Sequence, residues 1–340
     1  MNSDPEKDGR KSLTRRDFTK KSLLAIGAAG AAGLAGYRAL NSVRRRAANN
    51  LAKMGHCAPA VMQTLLEMND IQNTGLILYA AGFAGGIAGS GTECGALTAP
   101  LMFMSYQNND FQDIEKKINL LERAQSLMKE FTEYNGSPLC LNIRSRGMHE
   151  CRRTIHNFHK PYQRASDITL HFPVETKESW KLLLNEFEKN KFHCAHNVLK
   201  SAGNKFHVTK DLLDASWIFI GGLAMLNRTC GALAAGVMAL SSATAKIEDS
   251  HSRVAQMNRL LRKGDNKAMD ESINNFNRSI NLSDELGLWF RNEFGSTSCH
   301  DIWQYDFSKI RDVEDFITGK CMAHCTVMGE KVVQKIKSMN

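Results

Sequence analysis

Two copies of one cysteine-bearing segment make up most of this 340-residue chain. Such repetition restricts the fold more than any local pattern, because each copy must build the same unit. His56-Cys57-Ala58 opens a stretch with helical apolar spacing at Val61, Leu65 and Leu66; His193-Cys194-Ala195 opens another at Val198, Leu199 and Ala202. A second cysteine follows 37 positions after Cys57 and 36 after Cys194, in matching words: Gly85-Gly86-Ile87-Ala88 leads to Cys94-Gly95-Ala96-Leu97, and Gly221-Gly222-Leu223-Ala224 to Cys230-Gly231-Ala232-Leu233. Phe131 to Cys140 then matches Phe290 to Cys299 in register, which supplies a third equivalent cysteine. From second to third the spacing is 46 in the first copy and 69 in the second, and the charged stretch Arg259 to Asp270 marks the expected insertion. Cys151 closes the first copy; Cys321 or Cys325 closes the second, which accounts for the ninth cysteine.

Between the cysteines the pattern is helical. Ile114 to Glu133, for example, places Ile118, Leu121, Leu127 and Phe131 mostly three to four apart. The best alternating stretch, Ile168 to Phe172, ends at Pro173 and falls between the copies. The expected fold is all-α: two tandem homologous helical bundles of four to five helices each, spanning residues 46–165 and 176–340 behind a leader at residues 1–45. Leu76 to Met104 and Trp217 to Ala245 are apolar enough to suggest membrane helices, but polar residues split each into pieces too short to span, so buried helices are expected.

The net charge of +9 is local. Residues 1–50 hold eleven Lys/Arg against four Asp/Glu, a net +7, and the body is close to neutral. A nucleic-acid partner is therefore not expected, and Arg144, Arg146, Arg152 and Arg153 read as a short solvated cluster. Thr14-Arg15-Arg16-Asp17-Phe18 followed by the weakly apolar Ser22 to Tyr37 has the order of a twin-arginine export signal. This predicts a chain handled by the twin-arginine translocase and placed in the periplasm, or tethered through an uncut leader to the outer face of the cytoplasmic membrane.

Four cysteines per copy admit an iron–sulfur cluster, a tetrahedral zinc site, two disulfides, or buried thiols acting as small apolar residues. Zinc ligands usually come in close C-x₂₋₄-C pairs, which the first copy lacks, so zinc is the weakest of these. Spacing alone is equally compatible with a cluster and with disulfides. Thr92 and Thr229 stand where helix caps would place Cys94 and Cys230 at helix N-termini, which favours thiolate. The glycine after each leaves room for another sulfur. His56 and His193 are expected to be polar surface residues, with ligand and thiol base as the other roles. No C-x-x-C-H segment is present, so no covalent haem is expected, and no phosphate-cradling glycine loop or nucleophile elbow supports a nucleotide-dependent or hydrolytic function.

These words resemble the C_GCAxxG_C_C family of redox-active proteins, in two tandem copies. Ala99 and Ala235 stand where its closing glycine would fall. The arrangement is also similar to the cysteine module of split-Soret cytochrome c, which carries an iron–sulfur centre, though without that protein's haem-attachment motifs. The resemblance implies one or two iron–sulfur clusters per chain, bound by Cys57, Cys94, Cys140 and Cys151 and by Cys194, Cys230, Cys299 and Cys321, with Cys325 as the alternative to Cys321. It implies an exported electron-transfer protein working with redox partner proteins, for which a homodimer is one expected assembly. A metal-free thiol–disulfide oxidoreductase or redox sensor, with Cys94 and Cys230 as thiolates, is the competing expectation.

Overall fold

A computed structural model describes residues 42–108, 110–167, 172–247, 251–319 and 321–339. The leader up to residue 41 and most of the alternating stretch Ile168 to Phe172 lie outside the described residues. Apart from two isolated β-bridges, helices supply the regular structure among the described residues, as the periodicity predicts. None is long and apolar enough to cross a membrane.

The helices run α1 (residues 42–54), α2 (Cys57–Met68), α3 (Thr74–Tyr79), α4 (Gly95–Asn108), α5 (Ile114–Asn135), α6 (Cys140–Ser145), α7 (Met148–His156) and α8 (His159–Asp167) through the first copy. After α9 (Val174–Lys189) the second copy follows with α10 (Cys194–Ala202), α11 (Lys210–Ser216), α12 (Gly231–Thr244), α13 (His251–Arg262), α14 (Asn277–Phe294), α15 (Cys299–Trp303), α16 (Ile310–Thr318) and α17 (Cys321–Met339). Local chemistry sets many of these limits. Asp113 caps α5 by accepting from the Glu115 and Lys116 N–H groups, and α5 and α14 both end at a left-handed glycine, Gly136 and Gly295. The α4 and α12 segments are apolar on every side and are buried along almost their whole length. They are the buried helices expected within Leu76 to Met104 and Trp217 to Ala245.

The extra length of the second copy is α13 and the single turn Asn266–Met269, with a small core of Val254, Met257 and Ala268. It packs over the first copy at Gly55, and Asn274 Nδ2 donates to the Met54 carbonyl at 2.9 Å.

Arg44–Asn340 forms one compact unit in which the copies share a continuous apolar core. Of the other unit, Met1–Val43, only residues 42 and 43 are described. Within the compact unit the copies interlock. The α14 helix of the second copy crosses the glycine loop of the first so closely that a Cβ at Gly287 would lie 2.7 Å from the Ala88 carbonyl oxygen. Reciprocally, Gln125 on α5 donates to the Ala224 carbonyl in the equivalent loop of the second copy at 2.8 Å. Gly82 N–H donates to Ser241 Oγ and Ser105 Oγ to the Asp214 carbonyl, so polar groups of each copy are satisfied by the other.

Candidate functional site

In each copy, four elements deliver one cysteine apiece. Cys57 and Cys194 open α2 and α10, Cys94 and Cys230 directly precede α4 and α12, and Cys140 and Cys299 open α6 and α15. Cys151 lies in α7 and Cys325 in α17. A β-bridge clamps the second cysteine to the third. In the first copy Glu93 pairs with Leu139, Cys94 N–H donates to the Pro138 carbonyl at 2.9 Å, and Cys140 N–H donates to the Thr92 carbonyl at 2.7 Å. In the second, Thr229 pairs with Ser298, Cys230 N–H donates to the Thr297 carbonyl at 2.8 Å, and Cys299 N–H donates to the Arg228 carbonyl at 2.7 Å.

The first cysteine is seated by the glycine that follows the second. A Cβ at Gly95 would lie 2.7 Å from Cys57 Sγ, and one at Gly231 would lie 2.5 Å from Cys194 Sγ. Only a glycine admits a sulfur this close, which is the room the sequence predicts. Backbone N–H groups then converge on the sulfurs. Those of Gly85, Ala58 and Gly95 face Cys57, those of Gly221 and Ala195 face Cys194, that of Ala96 faces Cys94, and those of Ala232 and Leu233 face Cys230.

In the first copy all four thiols lie within electrostatic reach of one another. In the second, Cys299 feels Cys230, Cys325 and Cys194. Cys321 opens α17, and its side chain lies outside the described residues. Cys94, Cys140, Cys230 and Cys299 are buried, while Cys57, Cys151, Cys194 and Cys325 are partly exposed, so each site has an inner and an outer side.

Burial overrides the helix N-termini. It pushes the Cys94 thiol well above its ordinary value, raises Cys230, and lifts Cys140 and Cys194 to about 12. The thiolate character expected of Cys94 and Cys230 is therefore not found. The threonines do not cap. Thr229 Oγ1 instead donates to the buried Glu93 Oε2 at 2.5 Å, joining the equivalent positions of the two copies, and Cys230 stands at the N-cap of α12 without a side-chain cap hydrogen bond. Nor are the histidines polar surface groups. His56 is buried with Nε2 2.9 Å from Asn277 Oδ1, and His193 caps α10 through Nδ1 while Nε2 lies 3.1 Å from the Trp217 carbonyl. Ala99 and Ala235 sit in the core.

Three contributors were not singled out from the sequence. The Gly85 and Gly221 amides reach the first cysteine, Glu93 ties the copies together, and Phe83 stacks on Phe219 with ring centroids 5.4 Å apart. The carbonyl oxygens of these phenylalanines back onto Gly95 and Gly231, so the two sites stand back to back through the stack. Repetition of the glycine pair in both copies was the available signal.

The donor set suits an iron–sulfur cluster. Four thiols converge from separate elements, amide N–H groups point at sulfur, and a glycine cradle excludes a Cβ. Among the described residues no three His, Cys, Asp or Glu side chains are arranged to hold a single metal ion. A zinc ion with bonds of about 2.3 Å gathers its sulfurs within about 4 Å of each other. An iron–sulfur cluster would spread the thiolates over two or four irons and so accommodate a wider set.

The family model described as "putative redox-active protein (C_GCAxxG_C_C)" matches residues 55–165 and again 192–339. An Archaeoglobus fulgidus protein, described only as an uncharacterized protein, is 35% identical over 106 residues, covering 28% of this chain and 70% of that protein. No solved structure matches the chain at a significant level. With both copies of the cysteine pattern matched and folded alike, the chain belongs to the C_GCAxxG_C_C redox-active protein family, as two tandem copies.

Proposed function

We propose that the protein is an electron carrier holding one iron–sulfur cluster in each copy, through Cys57, Cys94, Cys140 and Cys151 in the first and Cys194, Cys230, Cys299 and Cys325 in the second. One observation carries this reading: in both copies the same β-bridge and the same glycine bring cysteines from separate helices to one point. A bound cluster supplies one-electron chemistry at a potential set by its surroundings. The chain's own residues do the rest. The Gly85 and Gly221 amides stabilise negative charge on the first sulfur, and the apolar walls of α4 and α12 keep water from the inner side. The Phe83–Phe219 stack gives the two sites a short packed connection.

Thiol–disulfide exchange has less support, because it needs exposed thiolates and the second cysteines are buried with raised pKa. Such thiols ionise readily only when a metal takes the place of the proton.

The deciding measurement is iron and acid-labile sulfide content, with an absorption spectrum, on protein purified without oxygen. Two clusters' worth of both is expected, falling to one in C94S or C230S. Colourless protein after iron and sulfide reconstitution would overturn the reading. Export rests on Arg15 and Arg16. Cell fractionation should find the chain beyond the cytoplasmic membrane, and R15K/R16K should hold it in the cytoplasm.

A further inference from the structure

The stretches that run from the third cysteine past the outer cysteine differ in charge between the two copies. From Cys140 to Arg153 there are four arginines and one acidic residue, Glu150; from Cys299 to Val327, five Asp/Glu and three Lys/Arg. In the first copy this charge rims the candidate site. Arg144 lies within electrostatic reach of both Cys140 and Cys151, and Arg152 and Arg153 follow Cys151 on α7. Arg146 donates to the Asn135 carbonyl and Arg153 pairs with Glu150. Arg144 and Arg152 are exposed and have no carboxylate partner among the described residues. The surface continues onto α1, since Arg44 and Arg152 both act on His156. Two large apolar side chains stand in its midst, Leu141 at 55% exposure and Met148 at 53%.

Unpaired arginines do little for folding, and an exposed Leu and Met beside a partly exposed cysteine cost solubility. Arginine, methionine and apolar side chains together are what docking faces concentrate, with a charged rim steering encounter. We propose that the face around Cys140 and Cys151 docks an acidic redox protein, whose carboxylates meet the Arg144 and Arg152 guanidinium groups while Leu141 and Met148 make the central contact. This rests on the electron-carrier reading above. The docked protein gives up one electron as the first-copy site gains it, or the reverse, and no bond is made. The stretch from Cys299 to Val327 in the second copy lacks this arginine excess, so the same partner is not drawn to it and the two copies are addressed differently.

The test uses the full-length protein and an acidic flavodoxin as probe, titrated calorimetrically at about 10 and about 150 mM ionic strength, where the screening length falls from about 30 to about 8 Å. Binding should be at least tenfold tighter at low salt, weaken at least tenfold in R144E/R152E, and be unchanged in D312K/D315K. R144Q/R152Q should lose part of the binding, which covers the case where charge reversal prevents folding. Absence of flavodoxin binding, or equal loss in D312K/D315K, would overturn the proposal. So would arginine-dependent self-association in place of flavodoxin binding, which would make a second copy of this chain the occupant. Arginine-dependent capture by phosphatidylglycerol vesicles without flavodoxin binding would do the same in favour of a membrane surface. Docking is read by heat, not colour: iron-free protein that binds flavodoxin sinks the cluster reading alone, and iron-loaded protein that ignores it sinks the docking face alone.

Discussion

Single atoms decide whether the sites form. G95A adds a methyl 2.7 Å from Cys57 Sγ, inside any normal contact distance. It should cost about 1–3 kcal/mol by denaturant unfolding and roughly halve the bound iron, with the second copy still loaded. Iron at the wild-type level would mean that the sulfur does not need this seat. T229V removes the hydroxyl that donates to buried Glu93 and should cost about 1–3 kcal/mol. His159 is buried, with Nδ1 lacking a hydrogen-bond partner among the described residues, and burial first, then the Lys160 and Arg44 charges, lowers its pKa to about 4. The unfolded chain takes up a proton near pH 6.5 that the folded chain refuses until about 4. Stability should therefore fall as pH drops through that window, and H159Q should reduce the dependence of the urea midpoint on pH, with His56, His156, His193 and His196, whose pKa values are also lowered, supplying the rest. The glycines beside the second cysteines were legible in the sequence because both copies repeat them. The thiol pKa was not, because a helix N-terminus is a local feature and burial is a tertiary one.

At the scale of elements, helix periodicity was readable where a helix is long and two-sided, as in α5, whose expected span Ile114 to Glu133 is observed as Ile114–Asn135. The one-turn helices that carry the third cysteines, α6 and α15, are too short to show a period. The loop before the second cysteine was also hidden. Gly221, Gly222, Leu223, Ala224 and Met225 all have positive φ, a left-handed turn that costs about 1–2 kcal/mol per non-glycine residue. It persists because Ala224 N–H donates to the Ile218 carbonyl at 2.7 Å and Gln125 of the other copy holds the Ala224 carbonyl. Its product is the Gly221 amide on Cys194. In G222A the new Cβ would fall 2.5 Å from Cys299 Cβ and 2.8 Å from the Arg228 nitrogen, so the turn and the bridge cannot both survive. The second-copy cluster should be lost with the first retained, read as half the iron; full retention would show that the bridge does not set the site.

At the scale of the whole molecule, the two copies behave as one body, because each supplies packing and hydrogen bonds that the other lacks. Denaturation of the full chain should give a single transition, and residues 44–167 expressed alone should aggregate or self-associate in size-exclusion chromatography, since the face that meets α12 and α14 would be bare. A monodisperse, folded first copy would refute this. Repetition, helical period and the order of the cysteines were properties of the sequence by itself, because they are set by residue type and spacing: they determined an all-α tandem chain with two equivalent cysteine sets. The tertiary structure alone decided that α14 crosses the first copy's glycine loop and α5 the second's, that Cys325 lies within electrostatic reach of Cys299, that the second and third cysteines of each copy are buried, and that arginines rim the outer side of the first site. Those outcomes depend on which surfaces meet across more than a hundred residues of chain, and local sequence carries no record of that distance.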